Sequence, residues 1–439
     1  MTSINFGRFP AYTAYPAVVP IVRVACGAVI HRYIDTSPIS PSGRYLAVFR
    51  LPHEEREPAP GDRGEVLLVD LVSGEERVVA QSAGWELQVG AGVQWGPTDD
   101  ELYFNDVDVT TWRPYAVCLN PATGARRHFD GTVYQVSRDG RTLASHNLTV
   151  SRRAQRGYGV VLPEEHTPRN QGPVDHDGIF VTDVATGRTR LLVSIREIYE
   201  RARPSLRIPN PEEHEYYVFT LKWNPQGTRL FAILQWSIPD PSLPDQTRNR
   251  RKAVVTMRAD GSDLRVALPP DRYAGGHHPL WTPDGDHIVT NLTVGEGAEP
   301  QLGLVRVRFD GTGEQTLFVP GSGHPSTNPV CHQFMVTDAY PRESVTAGDG
   351  TTPIRLIDLG AGRETEITRV NLCRTAADRR PDAVRAAYRV DAHPAWDDGG
   401  RYLVFNGVHE NTRAVFVADL AGPLGLGSSA NPNGDAVSN

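Results

Sequence analysis

Three histidines in this chain are each followed by proline and each stand a few residues before a turn signal. They are His278-Pro279 in GGHHPLWTPDG, His324-Pro325 in GSGHPSTNPV and His393-Pro394 in DAHPAWDDGG. Neutral imidazoles that converge and leave a position open bind divalent cations, so the trio is a candidate site for Zn, Mn or Ca, structural or catalytic. Cys331, His332, His277 and Asp391 are near enough in sequence to add ligands. The competing interpretation is that each imidazole satisfies backbone groups and each proline only ends strand pairing. Spacing alone does not separate the two.

Something must bring three distant histidines together, and an internal repeat supplies it. A turn containing Pro, Asp, Asn or Gly followed by a short apolar strand recurs seven times: SPSGRYLAVF (40–49), GPTDDELYFN (96–105), SRDGRTLASH (137–146), NPQGTRLFAI (224–233), TPDGDHIVTN (282–291), NPVCHQFMVT (328–337) and WDDGGRYLVF (396–405). Each copy is followed by a second strand and usually a second tight turn, as in VLLVDLVSGEERVV and IRLIDLGAGRETEIT. Alternating β-branched and aromatic residues around Asp-Gly and Ser-Gly turns form hairpins, and two hairpins per repeat make a four-stranded antiparallel sheet. Seven such sheets predict an all-β, seven-bladed β-propeller over residues 1–420, with 421–439 a disordered tail. The last copy is one strand short after AVFVADL, while VRVACGAVI near the N-terminus lacks a hairpin partner. The N-terminal strand is therefore expected to complete the last blade and close the ring. The His-Pro position lies on the strand leading into the turn, the innermost strand of a blade, so the three imidazoles are expected to face the central channel. Long insertions at 147–176, 195–215 and 371–390 are the expected site-building loops.

Composition narrows the function. The 41 Gly and 35 Pro suit a turn-rich β protein. A net charge of -7 argues against a nucleic-acid or anionic-membrane partner. No membrane span or signal peptide is read, which leaves a cytoplasmic or mature secreted protein. The four cysteines form no CxxC pair, so neither a disulfide framework nor a zinc ribbon is implied. No GxSxG nucleophile elbow is present, which disfavours a propeller peptidase. A closed propeller leaves no sheet edge to cover, and a monomer is expected.

The repeats, the His-Pro trio and the phrases GAGVQWG (90–96), YFNDVD (103–108), RRAQRGYGVVLPEEHTPRN (152–170), KWNPQGTRL (222–230), TDAYP (337–341) and GDGTTPIRLIDL (348–359) together resemble the seven-bladed propeller polysaccharide lyases. That group includes ulvan lyases, rhamnose-glucuronate lyases and oligogalacturonate lyases. The resemblance spans nearly the whole chain and implies β-elimination at C4 of a uronic acid within an anionic oligo- or polysaccharide. Such chemistry needs a base for the C5 proton, an acid for the departing O4 oxygen and a neutraliser for the carboxylate. The alternative is a propeller that binds a glycan or a protein without turning it over.

The resemblance to the ulvan and rhamnose-glucuronate branches implies a Tyr as base or acid and an Arg as neutraliser, which fall on Tyr158 and Arg169. His146 is a further catalytic candidate, placed just before the same loop. A Tyr base requires a lowered pKa, which Arg152, Arg153, Arg156 and Arg169 are expected to supply. Arg152, Arg153 and Arg156 also suit an anionic sugar. The chain departs from the pattern at Gly92, where the resembling enzymes carry a His. Tyr158 then serves as both base and acid, or His146 substitutes, or the protein is inactive or differently specific. In the oligogalacturonate branch a His and Gln site for manganese is implied, and Gln333 is the glutamine near the His324 repeat.

Overall fold

Several repeat turns are organised by their own acidic or amide side chain. Asp284 Oδ1 accepts from the backbone N–H of Asp286 at 2.8 Å and His287 at 3.0 Å. Asn224 and Asp397 do the same for Thr228 and Arg229, and for Arg401 and Tyr402. These self-contained turns reverse the chain between the first and second strands of a blade. In the computed structural model, which describes residues 2–54, 56–155, 157–240, 242, 247–295, 300–374 and 389–426, the result is seven four-stranded antiparallel sheets. The protein is a seven-bladed β-propeller. All seven repeat phrases form the turn and second strand of a blade, from Tyr45–Arg50 in blade 1 to Tyr402–His409 in blade 7.

Blade 7 consists of Ala395–Trp396, Tyr402–His409, Thr412–Asp419 and, outermost, Ile21–Cys26 from the N-terminus. The single N-terminal strand expected from VRVACGAVI is two. Gly27 and Ala28 adopt positive φ (93° and 56°), which separates Ile21–Cys26 from Val29–Ile30, the innermost strand of blade 1. One short segment thus serves both sides of the closure. Of the expected tail, residues 421–426 form a turn and 427–439 lie outside the described residues. Within the described residues, no helix is long and apolar enough to cross a membrane.

Apolar side chains fill every interface between neighbouring blades. Blades 3 and 4 share a cluster around Ile179, Val193, Leu221 and Leu234, and blades 7 and 1 share one around Val24, Val48, Val404 and Val417. Middle strands are therefore buried on both faces, which is why AVFVAD reads as a continuous apolar run. Two polar devices set the spacing of the inner strands. Trp95, Trp281 and Trp396 donate their indole N–H to Pro38, Lys222 and Ser326, each in the preceding blade, at 3.0–3.1 Å. Asn105, Asn291 and Asn406, at one height on second strands, bridge to the segment entering the next blade. Each removes buried backbone groups from the unsatisfied state that would otherwise cost about 1–3 kcal/mol.

Candidate functional site

Antiparallel order fixes which loops share a face. The segment entering the first strand, the connection between second and third strands and the link to the next blade all lie at one end of a blade. The repeat turns lie at the other. The insertions holding helices Leu148–Ala154 and Ile195–Arg201, the 338–350 connection and the segment ending at Asp391 therefore gather at the His-Pro end. Cys331, His332 and Gln333 sit in the repeat turn between Ser326–Thr327 and Phe334–Thr337, at the opposite end. Those three expected ligands are excluded by that placement.

The His-Pro histidines converge as the sequence predicts. Ring centroids of His278 and His324 are 3.9 Å apart, and those of His324 and His393 are 4.4 Å apart. His278 and His393 hold positive φ (57° and 48°), as do Thr220 (58°) and Gly92 (69°), each three residues before the blade's Trp. Non-glycine residues kept in this region cost on the order of 1–3 kcal/mol, a strain typical of functional sites. Gly92 adopts it without that cost.

Hydrogen bonds assign the protons of the cluster. His324 Nδ1 lies 2.9 and 3.0 Å from the two oxygens of buried Asp338. Burial works against the Asp338 charge, but His324 and the backbone N–H groups of His324 and His393 hold its pKa below the usual carboxylate range. His324 therefore donates from Nδ1 and turns its Nε2 lone pair toward the cluster. Tyr340 Oη lies 3.2 Å from that Nε2 and 2.8 Å from Nε2 of His278, whose Nδ1 is 2.7 Å from Tyr33 Oη. Burial and the neighbouring imidazoles keep His278 neutral. With His324 protonated on Nδ1 alone, the consistent direction is Tyr33 to His278 to Tyr340 to His324 to Asp338. His278 has both nitrogens on tyrosines, and it falls outside the group of described His and Asp residues whose ligand atoms approach within 4.8 Å of one another.

Asp391 takes its place. Ligand atoms of His324, Asp391 and His393 lie within 4.8 Å of one another, and all three side chains are buried. Neither ring nitrogen of His393 has a hydrogen-bond partner among the described residues. A buried imidazole without partners beside a carboxylate, and an Nε2 of His324 that only the Tyr340 hydroxyl approaches at 3.2 Å and that a cation would take from it, fit a divalent cation, with Asp338 as the outer carboxylate that orients His324.

Above this cluster a cleft of about 1330 Å³ opens, lined by Tyr33, Tyr158, His277, His278, Tyr340 and Arg389 among others. Tyr158 meets it from the 147–177 insertion. Arg389 donates to Tyr158 Oη at 2.8 Å, and its Nε donates to Asp391 Oδ2 at 2.6 Å. Asp391 in turn is 3.8 Å from His393 Nε2. A continuous polar path joins the phenol to the metal-capable group. The lining also carries Arg250, Arg251 and Lys252 from the strand Thr247–Arg258, with Arg207 and the acidic Glu86, Glu213 and Asp271. Lys252, pushed down to about 8 by burial and by Arg250, donates to the Gly276 carbonyl. An acidic protein thus presents a basic cleft.

The remaining expected residues do not join it. Arg169 pairs with Glu215 at 2.8 Å in a separate small pocket that also contains Arg153, which pairs with Glu164. His146 is buried between Tyr134 and Phe219, does not line the cleft, and is pushed down to about 3 by burial. Arg152 acts electrostatically on Glu86, and Arg156 lies outside the described residues. The expectation that this arginine cluster lowers the Tyr158 pKa is therefore corrected. Burial raises it, and the arginine that opposes the rise is Arg389. Two signals could have found the missed residues: the alternation Arg389, Asp391, His393 in RVDAH, and the basic run 248–252 in an acidic chain.

No protein-family model and no curated protein matches the chain. Among solved structures, an oligogalacturonate lyase in complex with manganese is similar over 95% of this chain and 97% of its own, with 14% identity and a TM-score of 0.59. An oligogalacturonate lyase from Vibrio parahaemolyticus is similar over 96% and 98%, with 12% identity and a TM-score of 0.58. At such identities the likeness establishes the shared propeller fold.

Proposed function

We propose that this protein is a lyase that cleaves uronate glycosides by β-elimination, with Tyr158 as the proton-transferring group. The observation that carries the proposal is the Tyr158–Arg389–Asp391–His393 path, which reaches the cleft at Tyr158 and Arg389. A guanidinium against the phenol stabilises the phenolate that abstracts the C5 proton. On a glucuronate, whose H5 and O4 lie on the same face of the ring, one phenol can then return that proton to the departing O4 without a histidine at Gly92, whereas a galacturonate, with H5 and O4 on opposite faces, needs a second group as the acid. Arg250, Arg251 and Lys252 supply positive charge for the sugar carboxylate. A cation held by His324, Asp391 and His393 would add Lewis-acid stabilisation of negative charge. Manganese suits a mixed imidazole and carboxylate set, and one similar propeller is an oligogalacturonate lyase in complex with it.

The substrate class is an anionic oligouronide, with galacturonate, ulvan and rhamnosyl-glucuronate linkages as the panel to compare. The protein with added manganese is expected to generate the ultraviolet absorbance of a 4,5-unsaturated uronate on at least one of them. Tyr158→Phe is expected to lower kcat on the order of 10²- to 10⁴-fold, as loss of acid-base transfer does. Absence of unsaturated product from the whole panel, checked by mass spectrometry, would leave a glycan-binding propeller in which the histidine cluster is structural.

A further inference from the structure

Glu86 lies on the connection between blades 1 and 2, is 9% exposed and lines the cleft. No expectation from the sequence included it. Its own backbone is held rigidly. Glu86 N–H donates to the Gly90 carbonyl at 3.0 Å and Gly90 N–H returns the bond at 3.1 Å. The preceding residue, Trp85, is pinned by its indole N–H on the Asp62 carbonyl at 2.8 Å.

The side chain of Glu86 leaves this rigid turn and accepts the backbone N–H of Gly159. Gly159 follows Tyr158 directly, in an insertion that comes from blade 3. It has φ +71°, and a Cβ there would lie 2.2 Å from Arg152 N and 2.4 Å from the Leu148 carbonyl. The loop is therefore pressed against the helix Leu148–Ala154 on one side and fastened to Glu86 on the other. Val160 and Leu162, just beyond, pack on Ala83 and Val107 of the blade 1 and 2 region. Glu86 supplies a side-chain hydrogen bond that ties the tyrosine's own turn to that region. No salt bridge to Glu86 is formed among the described residues; Arg32, Arg152, Tyr134 and Tyr158 are the titratable or charged groups that act on it. Arg32 is engaged with Asp35 and the Tyr134 carbonyl. The acceptor role toward Gly159 is thus the specific contact Glu86 makes.

We propose that Glu86 is a positioning residue that sets the height of Tyr158 in the cleft by holding the Gly159 amide. An amide oxygen can accept the same bond, so Glu86→Gln preserves the role and Glu86→Ala abolishes it. The kinetic form of the proposal rests on the lyase reading, whereas its structural form does not, and the test separates them. Hydrogen exchange followed by mass spectrometry on the peptide covering 155–162 is expected to speed up in Glu86→Ala and to match wild type in Glu86→Gln. On an oligouronide that the wild type turns over, Glu86→Ala is expected to lower kcat roughly 10- to 100-fold with KM nearly unchanged, the signature of a displaced reacting group. Glu86→Gln is expected to restore kcat. Unchanged exchange in Glu86→Ala, or a Glu86→Gln variant as impaired as Glu86→Ala, overturns the proposal. Altered exchange in Glu86→Ala alone, with no turnover by the wild type, upholds the latch and removes only the lyase reading.

Discussion

Tyr158 shows how two environments compete over one phenol. Burial raises its pKa, Arg389 pulls it back, and Asp391 and Glu86 push it up again. Because burial is the largest influence, the phenol form predominates at neutral pH and the phenolate fraction grows as pH rises. With phenolate as the base, kcat/KM is expected to climb through the alkaline range, and Arg389→Ala should move that climb to higher pH. A pH–rate profile of both proteins checks the direction. For the metal-capable group the informative side chain is Asp338, which touches no ligand atom of Asp391 or His393 yet fixes the His324 proton. Asp338→Asn is expected to weaken manganese affinity roughly 10- to 100-fold, as loss of an outer carboxylate does. Titration calorimetry with manganese alone reads this without any substrate. His278→Ala should weaken it far less, because both of its nitrogens face tyrosines.

The inner strands carry a division of labour that the repeats conceal. The position three residues before the blade's Trp is left-handed in four blades, and the residue there is Gly92, Thr220, His278 or His393. In three of these blades the Trp ties one blade to the last, while the Trp223 indole N–H has no partner among the described residues. Removing the Trp281 indole bond to Lys222 with Trp281→Phe is expected to cost about 1 kcal/mol, and Trp281→Ala about 3–5 kcal/mol with the cavity included. Denaturant unfolding monitored by circular dichroism checks both values. The three-residue spacing to Trp was legible in HPLW and HPAW, but its left-handed geometry was not, because a bulge is set by pairing to the next strand rather than by local propensity. His277 and Leu280 bracket such a register shift in blade 5.

Closure of the ring depends on Ile21–Cys26 lying against Thr412–Asp419. Removing residues 1–26 would expose that edge and part of the apolar interface between blades 7 and 1. A lower melting temperature and concentration-dependent self-association are expected, since an unpaired edge strand templates further pairing. Differential scanning calorimetry and light scattering test the two consequences. The same closed ring gives the site its form. Its insertions emerge at one end only, so residues from the blade 3 insertion, the strand Thr247–Arg258 of blade 4 and the segment before blade 7 surround a single cleft.

Contiguous residues determined the blades: alternating β-branched strands, Asp-centred turns and a recurring phrase need only neighbours along the chain to be recognised. The convergence of His278, His324 and His393 followed from the same repeat, because equivalent positions in a closed ring face one axis. Which arginine meets Tyr158 was decided by tertiary structure alone. Arg153 and Arg169 are near it in sequence, yet the fold pairs them with Glu164 and Glu215, while Arg389 arrives from the other side of the ring. Asp391 in place of His278, and Asp338 behind His324, were likewise set by hydrogen-bond partners that only the folded chain brings within reach.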